Sequence, residues 1–203
     1  GYKSEQIKEY FLNYTQGNSD FTISLGNSNQ IEFHDSHGET TWKVTVADTG
    51  ALTNTGGRLK AVERFIGSDA FLCTYGDSLA DVDLKALREF HSRHGKMATV
   101  TASRPSSRFG LVETDERGIV RQFREKPVLD EWVSIGFFIF EPQIFSILGE
   151  NSVLEEEPLN SLADSGELGA YKHEGFWQPM DTFRESKILN DLWDSGRAPW
   201  KNW

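Results

Sequence analysis

Apolar and polar residues repeat with two different periods along this chain, which indicates both strands and helices. Apolar residues alternate with polar ones over 21–25, 31–33 and 42–46, the pattern of half-exposed strands. From Ser4 to Tyr14 the apolar residues instead recur at helical spacing. Ser4 is a suitable residue to cap that helix, whose apolar face needs a sheet to cover it.

A continuous apolar run, Ala70–Thr74, predicts a strand buried on both faces of a parallel sheet. A helical pattern over Asp83–Gly95 and a second β-favouring run over Met97–Ser103 follow it. Strand, helix and strand in this order form a βαβ crossover, so we expect the two strands to be parallel neighbours. The predicted fold class is α/β, with a Rossmann-like, mixed and mainly parallel sheet flanked by helices.

The second half of the chain predicts an antiparallel insertion into this fold. Leu111–Glu113 and Ile119–Phe123 flank a polar turn that ends in glycine, which is typical of a β-hairpin. Trp132–Phe140 is strongly apolar and predicts a core strand. Thr182 and Glu185 have the spacing of a capping box at the start of a final helix.

Composition indicates one folded domain spanning residues 1–203, because 37% of the residues are hydrophobic and 12% are aromatic. A net charge of −10 disfavours nucleic acid or an anionic membrane as a main partner. The single cysteine, Cys73, lies in an apolar run and predicts a buried thiol. Neither a long apolar run nor a signal-peptide pattern is present, so the expected location is the cytoplasm.

Asp77 is the first candidate for chemistry. It follows Gly76 at the carboxyl end of a predicted strand, the edge of an open α/β sheet where ligands bind. A carboxylate there can hold Mg²⁺ against phosphate oxygens. The alternative is that Asp77 caps a turn.

A glycine- and hydroxyl-rich loop, Asp48–Gly57, precedes the second predicted helix, which begins with Arg58. Its hydroxyls and backbone N–H groups, with the guanidinium, could hold a nucleotide or a phosphate. A plain connecting loop is the alternative.

Three further features have both a functional and a structural interpretation. Lys126 precedes a rigid proline at a strand end and could meet phosphate, or it is a surface lysine. Gly136 interrupts a core strand, which is expected where another group approaches the backbone closely. His91 and His94 have a spacing used in some metal sites, but a solvated helix face is favoured because no further ligand lies near in sequence.

Five motifs then combine in order: TGGRLK at 55–60, YGD at 75–77, EKP at 125–127, the strand around Gly136, and GFWQPMDT at 175–182. In this order and spacing the chain resembles the sugar nucleotidyltransferases, most closely the glucose-1-phosphate cytidylyltransferases. WKVTVADTG at 42–50, FWQPMDT and the APWKNW tail favour the cytidylyl branch. The resemblance covers essentially the whole chain.

The resemblance implies nucleotide-sugar synthesis, in which CTP and α-D-glucose 1-phosphate give CDP-glucose and pyrophosphate. The sugar phosphate oxygen would attack the α-phosphorus of CTP while pyrophosphate leaves in line. It also implies that Mg²⁺ is the cofactor and that the protein forms a homo-oligomer.

The resemblance also implies a role for each motif residue. Asp77 and Asp181 would ligate Mg²⁺, and Lys126 would neutralise the sugar phosphate, making these three the catalytic set. Thr53, Arg58 and Gly76 would contact the nucleotide. The sugar would be contacted by Glu125, Lys126 and Gly136, with Glu125 holding hydroxyls and Gly136 leaving room for the ring.

The chain departs from this family in two places. The amino-terminal GGxGTR nucleotide-binding loop does not occur in it, and Ser134-Ile135-Gly136 stands where Asn-Gly-Gly is usual. We therefore expect a chain lacking the first βα unit to be inactive or weak by itself, and robust pyrophosphate release would refute this.

Two alternatives to cytidylyl transfer to glucose 1-phosphate stay open. The chain could act on another base or sugar, as a thymidylyl- or uridylyltransferase does. It could also be a catalytically silent sugar-nucleotide-binding module. The presence of Asp77, Lys126 and Asp181 argues against a silent module, which has no chemical need for metal ligands.

Overall fold

The computed structural model describes residues 1–26, 30–34 and 38–202. Its helices are α1 (Ser4–Leu12), α2 (Tyr14–Asn18), α3 (Thr55–Ala61), α4 (Leu84–His94), α5 (Glu157–Asp164) and α6 (Phe183–Asp194), with 3₁₀ turns at Glu63–Phe65 and Pro142–Ser146. Its strands are β1 (Phe21–Ile23), β2 (Ile31–Phe33), β3 (Phe71–Thr74), β4 (Ser78–Ala80), β5 (Ala98–Ser103), β6 (Leu111–Thr114), β7 (Val120–Arg124), β8 (Val133–Phe140), β9 (Leu168–Lys172) and β10 (Trp177–Pro179). In the described part of the chain, no helix combines the length and apolarity needed to cross a bilayer.

The main sheet has four strands in the order β3-β8-β5-β9. β8 is antiparallel to both β3 and β5, while β5 and β9 are parallel. Three of the four strands therefore run in the same direction, and the predicted mixed α/β sheet is confirmed.

The predicted position of the Ala70–Thr74 run is wrong. β3 is an edge strand whose residues alternate between half-buried and exposed, and it pairs with β8 in antiparallel orientation. β3 and β5 are parallel but are not neighbours, because β8 lies between them. β8 takes the centre because its eight residues are almost continuously apolar and can bury both faces.

Two apolar clusters lie on the opposite faces of β8. Phe138 and Phe140 pack on one face with Ile144, and Ile139 packs on the other with Leu87. The thiol of Cys73 is partly buried beside the first cluster, and burial raises its pKa to about 11, in agreement with the sequence expectation.

The amino-terminal region differs from its prediction. α1 has no buried residue, and Ser4 does not cap it: the helix follows Lys3, whose side chain makes no capping bond. β1 and β2 pair as an antiparallel hairpin, but residues 42–46 form no strand, because no segment among the described residues pairs with them. The polar and glycine-rich segments 26–29 and 35–38 predict loops between these strands, and all but their residues 26 and 38 lie outside the described residues, as does the terminal Trp203.

The predicted ends of the two longest helices are confirmed. The Asp83 carboxylate accepts two N–H groups at the start of α4, and Gly95 ends that helix with φ of 62°. Thr182 and Glu185 form the predicted capping box of α6. The β6–β7 hairpin is also confirmed.

A chain of hydrogen bonds attaches α4 to β5. The Lys96 N–H donates to His94 Nδ1 (3.0 Å), so a neutral His94 carries its proton on Nε2 and donates it to Thr99 Oγ1 (2.7 Å). The Thr99 hydroxyl then donates to His91 Nδ1 (2.8 Å), and His91 Nε2–H reaches Glu141 Oε1 (3.2 Å). Burial and then the neighbouring His91 lower the pKa of His94, which favours its neutral form. The expected solvated face is wrong for His91, which is 3% exposed.

This network predicts a difference between two buried threonines of β5. Thr99 and Thr101 are both fully buried, but Thr101 Oγ1 has no hydrogen-bond partner in the described structure. We expect Thr99→Val to lower the free energy of unfolding by about 2 kcal/mol, because it leaves two ring nitrogens unpaired. Thr101→Val should be neutral or stabilising, since it removes an unsatisfied hydroxyl. Urea denaturation of both variants checks this, and equal losses would contradict the proposed network.

Candidate active site

A short antiparallel ladder, β4 with β10, brings two distant aspartates together. Pro179 lies opposite Ser78, and the Met180 N–H donates to the Asp77 carbonyl (2.9 Å), which extends the ladder by one position. Asp181 follows immediately. Both predicted metal ligands therefore lie at the same end of this ladder, and both are exposed. The sequence over 175–182 has the appearance of an irregular turn, but its middle is a paired strand, β10.

The other end of the ladder is fixed by a buried polar contact. Asp81 Oδ1 accepts the Phe176 N–H (2.6 Å) and lies 3.1 Å from Nε2 of His173, which is 7% exposed. The Phe176 ring also packs against Trp200 near the carboxyl end of the described chain, with ring centroids 5.5 Å apart. These contacts set the register that places Asp181 beside Asp77.

Asp181 is next to a cation in the structure. Arg108 Nη2 lies 3.7 Å from Asp181 Oδ2 and 2.8 Å from Glu185 Oε1. The other oxygen of Glu185 accepts the Thr182 N–H (3.0 Å) in the capping box. The helix cap thus also orients the group that holds Arg108.

A cavity of about 830 Å³ opens beside these residues. One wall is the segment between β5 and β6, the other is formed by β10 and the start of α6, and Lys126 reaches it as well. Its lining residues are Pro105, Ser106, Ser107, Arg108, Phe109, Lys126, Leu129, Trp177, Gln178, Pro179, Thr182, Arg184, Glu185 and Ile188. Three of these residues are cationic, so the cavity is suited to an anion although the chain as a whole is acidic.

Lys126 has an unusual backbone conformation, with φ of 46°. A left-handed conformation costs a residue with a side chain roughly 1–3 kcal/mol and persists where the surroundings impose it. Backbone bonds from Ser107 N to Pro127 O (2.8 Å) and from Leu129 N to Pro105 O (3.0 Å) hold the segment that follows. The Lys126 ammonium lies 3.0 Å from Glu125 Oε1. The two residues predicted to contact the sugar phosphate and the sugar hydroxyls therefore form an ion pair in the structure.

Gly76 directly precedes Asp77 at the ladder end, but the other two residues predicted to contact the nucleotide lie elsewhere. Arg58 donates to Thr49 Oγ1 (2.8 Å), the Gly50 carbonyl (2.8 Å) and the Ala51 carbonyl (3.2 Å), and the Thr53 hydroxyl donates to the Thr49 carbonyl. Within the described residues, neither side chain lines the cavity beside Asp181. The structure therefore groups Arg58 and Thr53 with each other and leaves their role in binding a prediction.

Glu155 connects these two regions, and the sequence analysis did not single it out. Its carboxylate accepts the Thr55 hydroxyl (2.6 Å) at the start of α3 and the hydroxyl of Tyr75, which directly precedes Gly76 and Asp77. Burial favours the neutral acid, but these two hydrogen bonds outweigh it and lower the pKa of Glu155. Burial and then the bond to Glu155 raise the pKa of Tyr75. The available signal was a run of three glutamates between apolar residues, which does not identify one of them.

Gly136 faces Tyr75 in the structure. It has φ of 77°, and a Cβ built there would lie 2.3 Å from Cδ2 of the Tyr75 ring. The sequence predicts that Gly136 leaves room for a sugar ring. In the structure, the Tyr75 ring lies directly beside Gly136. A role for Gly136 in leaving room for glucose stays a prediction.

The donor atoms at the ladder end suit magnesium. The described residues contain no cluster of three or more His, Cys, Asp or Glu side chains placed to hold a metal. Two carboxylates are enough for Mg²⁺, which usually keeps several waters and takes its remaining oxygens from substrate phosphates. Asp77 and Asp181 could therefore hold this ion with the help of a bound phosphate.

Comparison with known proteins gives consistent results. The nucleotidyl transferase family profile matches residues 6–177. A glucose-1-phosphate cytidylyltransferase of Salmonella typhi is 47% identical over 206 aligned residues, which cover 100% of this chain and 79% of the relative. A probable glucose-1-phosphate cytidylyltransferase of Bacillus subtilis is 40% identical with the same coverage.

Solved structures agree at the level of the fold. A putative glucose-1-phosphate thymidylyltransferase from Bacillus anthracis superposes with a TM-score of 0.54 at 19% identity, covering 70% of this chain and 62% of that one. A UDP-glucose pyrophosphorylase, solved with UDP-glucose, gives a TM-score of 0.53 at 18% identity, covering 73% of this chain and 65% of that one.

The contact between Gly136 and Tyr75 predicts a stability effect. We expect Gly136→Ala to lower the free energy of unfolding by about 2–4 kcal/mol, because it combines a left-handed backbone with a steric clash. Gly67→Ala is the matched control, since nothing lies within 4 Å of its Cβ position. Denaturant unfolding without ligand measures both. If Gly136 only made room for a sugar, the two variants would be equally stable.

Proposed function

The chain belongs to the nucleotidyl transferase family, in the group of the glucose-1-phosphate cytidylyltransferases. We propose that its reaction makes CDP-glucose and pyrophosphate from CTP and α-D-glucose 1-phosphate, with weak turnover or none by this chain alone. The observation that carries this is the ladder end, where the backbone pairing of Met180 with Asp77 brings the chain positions of Asp77 and Asp181 close together, near a cavity lined by three cations. The relative at 47% identity and full coverage supports the choice of base and sugar.

The proposed reaction needs alignment and charge neutralisation rather than a nucleophilic side chain. The sugar phosphate oxygen attacks the α-phosphorus, and pyrophosphate leaves on the opposite side. Both substrates are anions approaching a chain of net charge −10, so local cations must offset the overall field. Lys126 and Arg108 lie on the cavity wall and can do so.

Asp77 and Asp181 would hold Mg²⁺ in this site. Held by these two carboxylates, the ion would supply positive charge that lowers the repulsion between the two anionic substrates. Lys126 would contact the sugar phosphate, which requires that its ammonium exchange Glu125 for the phosphate. The freed Glu125 carboxylate can then accept hydrogen bonds from sugar hydroxyls.

Arg58, Thr53 and Gly76 are proposed to contact the nucleotide. Arg58 holds three oxygen atoms of the loop that leads into α3. The loop is therefore ordered by the same side chain that we expect to meet the nucleotide. Assembly into an oligomer and a cytoplasmic location remain predictions.

Metal dependence of product binding tests the two aspartates. We expect CDP-glucose to bind this chain on the order of tenfold more tightly with Mg²⁺, a difference of about 1.4 kcal/mol. Asp77→Asn and Asp181→Asn should each remove that gain. Asp164→Asn, at an exposed position on α5, is the control for charge alone. Isothermal titration calorimetry gives each affinity, and a metal-independent signal would instead favour a silent binding module.

Base choice and turnover test the reaction itself. Among the CDP, UDP, dTDP and ADP forms of glucose, we expect the CDP form to bind most tightly, and tighter binding of another form would point to a different nucleotidyltransferase. We expect this chain to release pyrophosphate from CTP and glucose 1-phosphate only weakly, and Lys126→Met should lower any measurable release by at least about tenfold, because the phosphate loses a charge-assisted contact.

A further inference from the structure

Arg108 lines the cavity and also lies 3.7 Å from Asp181, and the sequence analysis gave it no role. It comes from the segment between β5 and β6, and its guanidinium touches two carboxylates that belong to the start of α6. The Arg108 side chain is 59% exposed, whereas that of Glu185 is 14% exposed. Arg108 is thus fixed at one contact and open to the cavity on its other side.

We propose that Arg108 is an exchangeable counter-ion, which pairs with Asp181 in the metal-free protein and transfers to a substrate phosphate when metal binds Asp181. This rests on the proposed function, since it takes Asp181 as a metal ligand. Arg108 then acts twice in one binding event, first by holding the ligand carboxylate in place and then by binding the incoming anion.

The two contacts of Arg108 differ in a way that permits this exchange. The 2.8 Å contact to Glu185 is a hydrogen bond, while the 3.7 Å contact to Asp181 lies beyond hydrogen-bond distance and is an ion pair alone. Glu185 is itself fixed by the capping box through its other oxygen. The guanidinium can therefore release Asp181 while Glu185 continues to hold it.

Guanidinium chemistry fits the second half of the exchange. Arginine presents five N–H donors in a planar fork that matches the oxygens of a phosphate. The two carboxylates use Nη2, which leaves the remaining donors of Arg108 for the cavity. The cavity also contains Lys126, which we assign to the sugar phosphate. A phosphate bound in the cavity would thus contact both the planar guanidinium of Arg108 and the ammonium of Lys126.

Because Arg108 competes with metal for Asp181 but assists the anion, its removal should affect the two ligands in opposite directions. Without Arg108, the metal meets an unpaired carboxylate and one fewer repelling charge. The sugar phosphate, in contrast, loses a cation. A residue that merely supports the fold would weaken both ligands when removed.

The experiment measures the binding of a metal probe and of a sugar phosphate separately. Mn²⁺, followed by electron paramagnetic resonance, reports the metal, and calorimetry reports α-D-glucose 1-phosphate. We expect Arg108→Gln to bind Mn²⁺ at least about threefold more tightly and the sugar phosphate at least about threefold more weakly, as expected for one partly screened charge. Arg108→Lys keeps the charge, so its Mn²⁺ affinity should stay near that of the parent chain.

Arg93→Gln is the matched control, because it removes the same charge from an exposed position on α4. Thermal unfolding of each variant shows that the fold is retained. If Arg108→Gln weakens both ligands or leaves both unchanged, the proposed exchange is wrong.

The Asp181→Asn variant distinguishes a failure of the proposed Arg108 exchange from a failure of the proposed metal site. If that variant loses Mn²⁺ binding while Arg108→Gln does not tighten it, the exchange fails and the proposed metal site stands. If Asp181→Asn binds Mn²⁺ as the parent chain does, both the metal site and the exchange are overturned.

Discussion

The geometry of the candidate active site depends on one backbone pairing, that of β4 with β10. Each strand has three residues, and a two-stranded ladder of this size is not stable by itself. Trp177 and Ala80 pack against the apolar cluster on one face of β8, and Asp81 fixes the end of the ladder that lies away from Asp77. The main sheet thus stabilises the ladder, and the ladder sets the relative position of Asp77 and Asp181.

Electrostatics imposes a second constraint, because an acidic chain has to bind two anionic substrates. Two of the three cations that line the cavity are paired with carboxylates: Lys126 with Glu125, and Arg108 with Glu185 and Asp181. Both cations are more than half exposed, at 51% for Lys126 and 59% for Arg108, so the pairs cost little desolvation free energy while no ligand is bound. Each becomes available by exchanging one anion for another, which links substrate affinity to the rearrangement of named side chains.

The sequence predicted best those features that depend on neighbours along the chain. The caps of α4 and α6 and the β6–β7 hairpin follow from residues a few positions apart, and the structure confirms them. Strand order depends on pairing between distant segments, so the apolar run before Tyr75 was placed at the centre of the sheet instead of its edge. The alternation over 42–46 failed for the same reason, because a strand needs a partner that its own pattern does not specify.

The candidate site shows the same difference between features set by nearby residues and features set by contacts between distant segments. Asp77 and Asp181 could be paired from motif order, but Tyr75 and Glu155 could not, because their importance lies in contacts made across the fold. Tyr75 directly precedes Gly76 and Asp77, its ring packs on Gly136, and its hydroxyl is held by Glu155. Glu155 also holds Thr55 at the start of α3, next to the loop ordered by Arg58. The position of the Asp77 backbone is therefore coupled to the proposed nucleotide side, so a nucleotide that moves α3 would also move one of the two carboxylates that we propose as metal ligands.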